Sequence, residues 1–120
     1  MENNKKQNKR KMGSVYEKAV GGILESQGYT ILEYNYHCRY GEADIIAKEG
    51  DCLVFCEVKY RKNGHRGNPL EAVGAEKQKR IITCARFYIM EHHLGTLPLR
   101  FDVIGIEGSM ITHVRNAFYG

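Results

Sequence analysis

The apolar run Cys52-Leu53-Val54-Phe55-Cys56 ends on Glu57-Val58-Lys59, a carboxylate and an ammonium where a buried strand would normally carry neither. Side chains alternate across a strand, so Glu57 and Lys59 share one face and Val58 points to the other. A second apolar run, Ile45-Ile46-Ala47, is opened by Asp44 at the end of Gly41-Glu42-Ala43-Asp44. The turn-like Lys48-Glu49-Gly50-Asp51 lies between them, which predicts an antiparallel hairpin. That hairpin can set Asp44 beside Glu57 at the end of a half-buried sheet, with Lys59 on the same face.

The flanking sequence supplies the remaining elements. Ser14 and Glu17 have capping-box spacing, which predicts a helix from Gly13 or Ser14 to about Gln27. Val15, Ala19, Val20, Ile23 and Leu24 form its expected apolar stripe, and Gly28 its stop. Tyr29 to Tyr36 alternates as a strand, and Gly41 breaks the chain before the hairpin. A polar, basic loop covers residues 61–68. A second helix is expected from Asn68 as cap, Pro69 as first residue and Glu71 as third, reaching about His92 with a weak point at Gly74. Its expected stripe is Ile81, Ile82, Ala85, Tyr88 and Ile89, with Lys77, Lys79, Arg80 and Arg86 on the other faces. Leu99–Ile106 and Met110–Val114 then read as a closing hairpin. The order α-β-β-β-α-β-β indicates an α/β domain, a mixed β-sheet flanked by helices. The second helix can act as a crossover that makes two strands parallel.

The 120 residues suffice for one domain with a modest core, assigned to 13–120. An apolar fraction of 42% and a charged fraction of 27% belong to a globular chain. No apolar run approaches the roughly 18 residues of a membrane helix. No secretory signal is recognisable, so the cytoplasm is the expected location and no membrane partner is expected. The net charge is +4. Residues 1–12 hold five of the 18 Lys and Arg and one of the 14 Asp and Glu, so the rest is formally neutral. This tail is expected to be disordered, either a solubilising end or a phosphate-seeking arm. Cys38, Cys52, Cys56 and Cys84 lack zinc-type spacing and read as reduced, mostly buried thiols.

Two carboxylates and a lysine at one strand end suit phosphodiester hydrolysis, in which a divalent cation activates water and offsets phosphate charge. Magnesium takes oxygen ligands and keeps several waters, so Asp44 and Glu57 suffice to hold it, with the Val58 backbone carbonyl as a further ligand. Lys59 would orient the attacking water or offset charge. Its reference pKa is about 10.4. Two adjacent carboxylates oppose the downward shift a base would need.

Gly41-Glu42-Ala43-Asp44-Ile45-Ile46-Ala47 and Leu53-Val54-Phe55-Cys56-Glu57-Val58-Lys59-Tyr60-Arg61 together resemble the YraN-like family of small bacterial proteins. Glu71-Ala72-Val73, Lys77-Gln78-Lys79-Arg80-Ile81 and Arg100-Phe101-Asp102-Val103 extend the likeness from Gly13 to Phe118. That family is placed in the restriction-endonuclease-like superfamily, close to Holliday-junction resolvases. The resemblance implies metal-dependent DNA cleavage with Mg2+ or Mn2+ and Asp44, Glu57 and Lys59 as the catalytic set. It also implies a first-helix glutamate, Glu17, at the metal and a helix glutamine, Gln78, near the site. Branched or otherwise structured DNA is the substrate it favours. A homodimer would suit a symmetric junction, although no stretch identifies itself as an interface.

Blander roles stand beside these. The acid pair with Lys59 could be a cross-strand ion pair worth about 0.2–1 kcal/mol. Glu17 is expected near a helix start from capping alone. Glu42 alternates onto the face of Asp44, or pairs with Arg39. Asp102, mid-strand, reads as a buried structural hydrogen-bonding group. Arg61, Lys62, Arg66, Lys77 and Arg80 are candidate DNA contacts or ordinary solvated cations. Tyr34, Tyr36, Tyr40 and Tyr60 could stack on unpaired bases, or sit half-buried in the sheet. The rivals to a nuclease are a nucleic-acid-binding module with a vestigial metal site and a protein-interaction domain whose acids only stabilise the sheet.

Overall fold

The computed structural model describes residues 15–61 and 69–119. A first helix, α1, covers residues 15–26. Five strands follow: β1 (Thr30–Cys38), β2 (Gly41–Glu49), β3 (Cys52–Arg61), β4 (Leu99–Glu107) and β5 (Met110–Phe118). The second helix, α2 (Ala75–Glu91), lies between β3 and β4 and is preceded by a short 3-10 turn, Pro69–Ala72. The sheet runs β1-β2-β3-β4-β5. Among the described strands only the β3–β4 pair is parallel. The α2 crossover makes it so, as the element order requires. The expected α/β architecture is the observed one.

The apolar run of the hairpin becomes the central strand because both faces of the sheet are covered. On one face Val20 and Leu24 of α1 pack with Ile45, Ala47, Val54, Cys56 and Ile104. On the other, Ile81, Cys84, Ala85 and Tyr88 of α2 pack with Ile46, Leu53, Phe55 and Phe101. Leu53 to Glu57 is therefore buried without interruption.

Three expectations need correction. The α1 stripe is rotated: Val15, Ala19 and Ile23 are exposed, and the buried line is Glu17, Val20, Gly21 and Leu24. That line keeps helical spacing but admits a carboxylate. The second helix begins at Ala75, later than expected; Asn68, the expected cap, lies outside the described residues. Pro69–Ala72 makes only a 3-10 turn, and Gly74 takes extended backbone (φ −69°, ψ 170°) as the cap of α2. The weak point is thus a full break. The last strand also runs on to Phe118 rather than ending at Val114. Gly28 ends α1 as expected. It adopts φ +95°, and the Tyr29 N–H closes back on the Leu24 carbonyl at 3.0 Å.

Where α2 crosses the start of β2 the backbones nearly touch. A Cβ on Gly41 would lie 2.9 Å from the Arg80 carbonyl oxygen. Gly41→Ala is expected to push the helix outward at a cost of about 1–3 kcal/mol, readable as a lower urea midpoint with an unchanged slope.

Candidate metal centre

The site lies where β2 and β3 part. Their pairing runs from Glu49 opposite Cys52 to Ile45 opposite Cys56 and then stops. One step further the register sets Asp44 against Glu57. Asp44 Oδ2 accepts the Val58 N–H at 2.8 Å, so its carboxylate replaces the next rung of the ladder. The N–H and C=O of one residue project from the same edge of a strand. The Val58 carbonyl therefore faces the same gap.

Glu57 is 3% exposed. Its Oε1 lies 3.5 Å from Lys59 Nζ and 2.5 Å from Lys77 Nζ. Its Oε2 is buried with no hydrogen-bond partner. Glu17 reaches the gap from α1, close to Asp44 and Asn35, and its Oε2 is likewise buried and unpartnered. Stacking of Tyr16 on Tyr60, with centroids 4.5 Å apart, ties the first described turn of α1 to the end of β3 beside Glu17.

Burial, then the charge on Glu57, pushes Asp44 up to about 8. Burial also raises Glu17. Lys59 departs from the expectation: burial first, then neighbouring Lys77, lowers its pKa against the pull of Glu57. For Lys77 burial opposes the charge, but the bonds to Glu57 and Lys59 and the charges of Glu57 and Asp44 together outweigh it, and the pKa stands above the ordinary value. Lys77 thus takes up much of the Glu57 charge, leaving Lys59 the amine that loses its proton more readily.

Asp44, Glu57, Lys59, Val58 and Glu17 are brought together. Among the described residues no three Asp, Glu, His or Cys side chains converge as a ready-made metal cage. The carboxylates instead meet around Asp44, with two orphaned oxygens close by. Buried carboxylate oxygens without partners beside a backbone carbonyl suit a hard cation that retains its own waters. Asp44, Glu57 and the Val58 carbonyl are the groups to hold it.

The other candidates divide. The Gln78 amide donates to the Val73 carbonyl at 2.9 Å, bracing the break before α2. Exposed Arg80 pairs with Glu76 at 3.2 Å. Glu42 pairs with His37 at 3.3 Å rather than with Arg39. Arg61 ends β3, half-buried; Lys62 and Arg66 lie outside the described residues, as does the 1–12 tail. Asp102 is fully buried and structural: it accepts from Arg100 Nε and the Asn116 N–H at 3.0 Å, with His113 Nε2 2.7 Å away.

The sequence reading places Lys77 among the cations on the outward faces of the helix, and its role at Glu57 emerges only from the structure. Its spacing carried the signal. Lys77, Ile81, Cys84, Ala85 and Tyr88 make one helical line, so Lys77 continues the buried stripe of α2 toward its N-terminus. Glu17 does the same on α1. Each helix places one charged group over the gap between β2 and β3.

A mixed α/β sheet with an acid pair and a lysine at its parting strands defines the class of domain. A model of an uncharacterised protein family, UPF0102, matches residues 16–106. The chain is 46% identical to a UPF0102 protein of Desulforapulum autotrophicum over 92% of this chain and 94% of that one. It is 44% identical to one of Lachnoclostridium phytofermentans, covering 92% and 95%, and 42% identical to one of Pseudoalteromonas translucida, covering 90% and 88%. The chain belongs to the UPF0102 family. No helix among the described residues is long and apolar enough to cross a membrane.

Proposed function

We propose that this protein is a restriction-endonuclease-like, Mg2+- or Mn2+-dependent endodeoxyribonuclease that hydrolyses phosphodiesters in the cytoplasm, with branched or structured DNA as its substrate. The observation that carries this reading is the meeting of Asp44, Glu57 and Lys59 at one gap in the sheet. A bound divalent ion would supply Lewis-acid stabilisation of the phosphate and an acidified water. Asp44 and Glu57, on adjacent strands, and the Val58 carbonyl would hold the cation. Lys59, on the face of Glu57, orients the attacking water and offsets phosphate charge. Its lowered pKa also brings it closer to accepting a proton than a surface lysine. Two copies of the chain would present two such sites to a symmetric junction.

The reading as a non-catalytic binding module has one observation in its favour: Lys77 already occupies Glu57 Oε1. Incubation with branched, nicked and linear DNA plus Mg2+ or Mn2+ separates the two. The nuclease reading predicts cuts that need metal and vanish in Asp44→Ala and in Lys59→Ala. DNA binding without cleavage under either metal would establish the module instead.

A further inference from the structure

The tight turn between β1 and β2 faces the N-terminal half of α2 across a cleft of about 600 Å³. His37, Arg39, Tyr40 and Glu42 line one wall, Lys77 and Arg80 the other. Arg39, Lys77 and Arg80 line the cleft with three cations; Lys77 is paired with Glu57 outside it, Arg80 with exposed Glu76, and the lining carboxylate, Glu42, with His37. Tyr40 stands at the rim, 52% exposed. Phe87 stacks against its ring, centroids 5.5 Å apart and planes 21° from parallel, which fixes the ring as a platform. The Arg39 guanidinium lies over the Tyr40 ring, 5.8 Å from its centroid, where a stacking base would take its place. Lys77 lines this cleft and also reaches Glu57, so this one side chain links the cleft to the carboxylate gap.

We propose that this cleft is a subsite for one unpaired nucleotide of the substrate strand, its phosphate held by Lys77 and Arg80 and its base stacked on Tyr40. The inference rests on the nuclease reading and deepens it by naming the substrate class: DNA carrying a single-stranded segment next to the scissile phosphate. Size supports one nucleotide, because a cavity of this volume encloses a small ligand rather than a stretch of duplex. Stacking supports an unpaired base, because a base inside a duplex has both faces covered. Every base has such a face, so the cleft selects strand state and not sequence.

The test is fluorescence anisotropy of the full chain with labelled single-stranded and fully paired oligonucleotides in EDTA, where no cutting intervenes. Tyr40→Ala, Tyr40→Phe and Arg80→Ala are compared, each checked for folding by circular dichroism. Wild type should prefer the single strand. Tyr40→Ala should weaken that binding by about 5- to 150-fold, while Tyr40→Phe keeps it. Arg80→Ala should flatten the salt dependence by about 0.7 in log–log slope, one phosphate contact. Duplex bound as tightly as single strand, or a folded Tyr40→Ala that binds single strand like wild type, would overturn the subsite. Metal-dependent cutting by wild type alongside either result would leave the nuclease reading standing. A wild type that neither binds nor cuts would end both.

Discussion

Glu57→Gln is expected to abolish metal-dependent cleavage while the domain remains folded. Glutamine keeps the shape of a side chain that is almost wholly buried, but it removes the charge that a cation requires. The stabilisation a metal gives is several kcal/mol, so cleavage should fall by at least about 10²- to 10³-fold. The same change removes the second-largest influence on Asp44 after burial, so the pKa of Asp44 should drop below its value of about 8. Carboxylate carbon shifts followed by NMR across a pH titration would read this directly. Glu57→Gln that cuts DNA at the wild-type rate would remove Glu57 from the chemistry.

Asp102→Ala should cost about 3–5 kcal/mol, the usual effect of removing one partner from a buried charge network. Domains of this size are held by about 5–15 kcal/mol in total, so the loss is a large share. The network explains the size. Arg100 contacts Asp102 through two nitrogens, at 3.0 and 3.2 Å, and also reaches Glu49 at 2.8 Å and the Tyr29 hydroxyl at 2.6 Å. These contacts join β4 to the end of β2 and to the residue before β1, while the Asn116 N–H ties in β5. Burial alone would raise the Asp102 pKa, but His113, Arg100 and the Asn116 N–H outweigh it and hold it below the ordinary aspartate value. The folded chain therefore releases this proton more readily than the unfolded chain. Asp102 contributes its stability in full above the ordinary aspartate value and loses it as pH falls toward the depressed one. Urea unfolding across acid pH should show a smaller fall in stability for Asp102→Ala than for wild type. None of the metal-centre side chains is among its hydrogen-bonding partners, so the deficit is one of folding.

The hairpin, the stop at Gly28, the crossover and the structural role of Asp102 were legible because each rests on a local signal: alternation, a glycine, or a lone acid in an apolar strand. The rotated face of α1 was not. Hydrophobicity favours Val15 and Ile23, whereas the fold buries Glu17 because Asp44 and Asn35 receive it. Lys77 was obscured in the same way, since a cation on a buried stripe makes sense only once Glu57 of another element is in place. The start of α2 misled for a different reason. Pro69 and Glu71 satisfy the local rules of a helix start, but Gly74 follows too soon for more than one turn to form. The far half of β5 sets two exposed residues, Arg115 and Asn116, in succession, with Asn116 at φ +52°, which breaks its alternation.

Calorimetric titration with Mn2+ tests most directly whether the paired acids form a metal centre. A proton must leave Asp44 before the cation can bind, so affinity should rise as pH passes about 8 and binding below that value should release a proton to the buffer. Saturable binding in wild type that disappears in Asp44→Asn is the predicted result. No binding at any pH, or binding unchanged in Asp44→Asn, would contradict it.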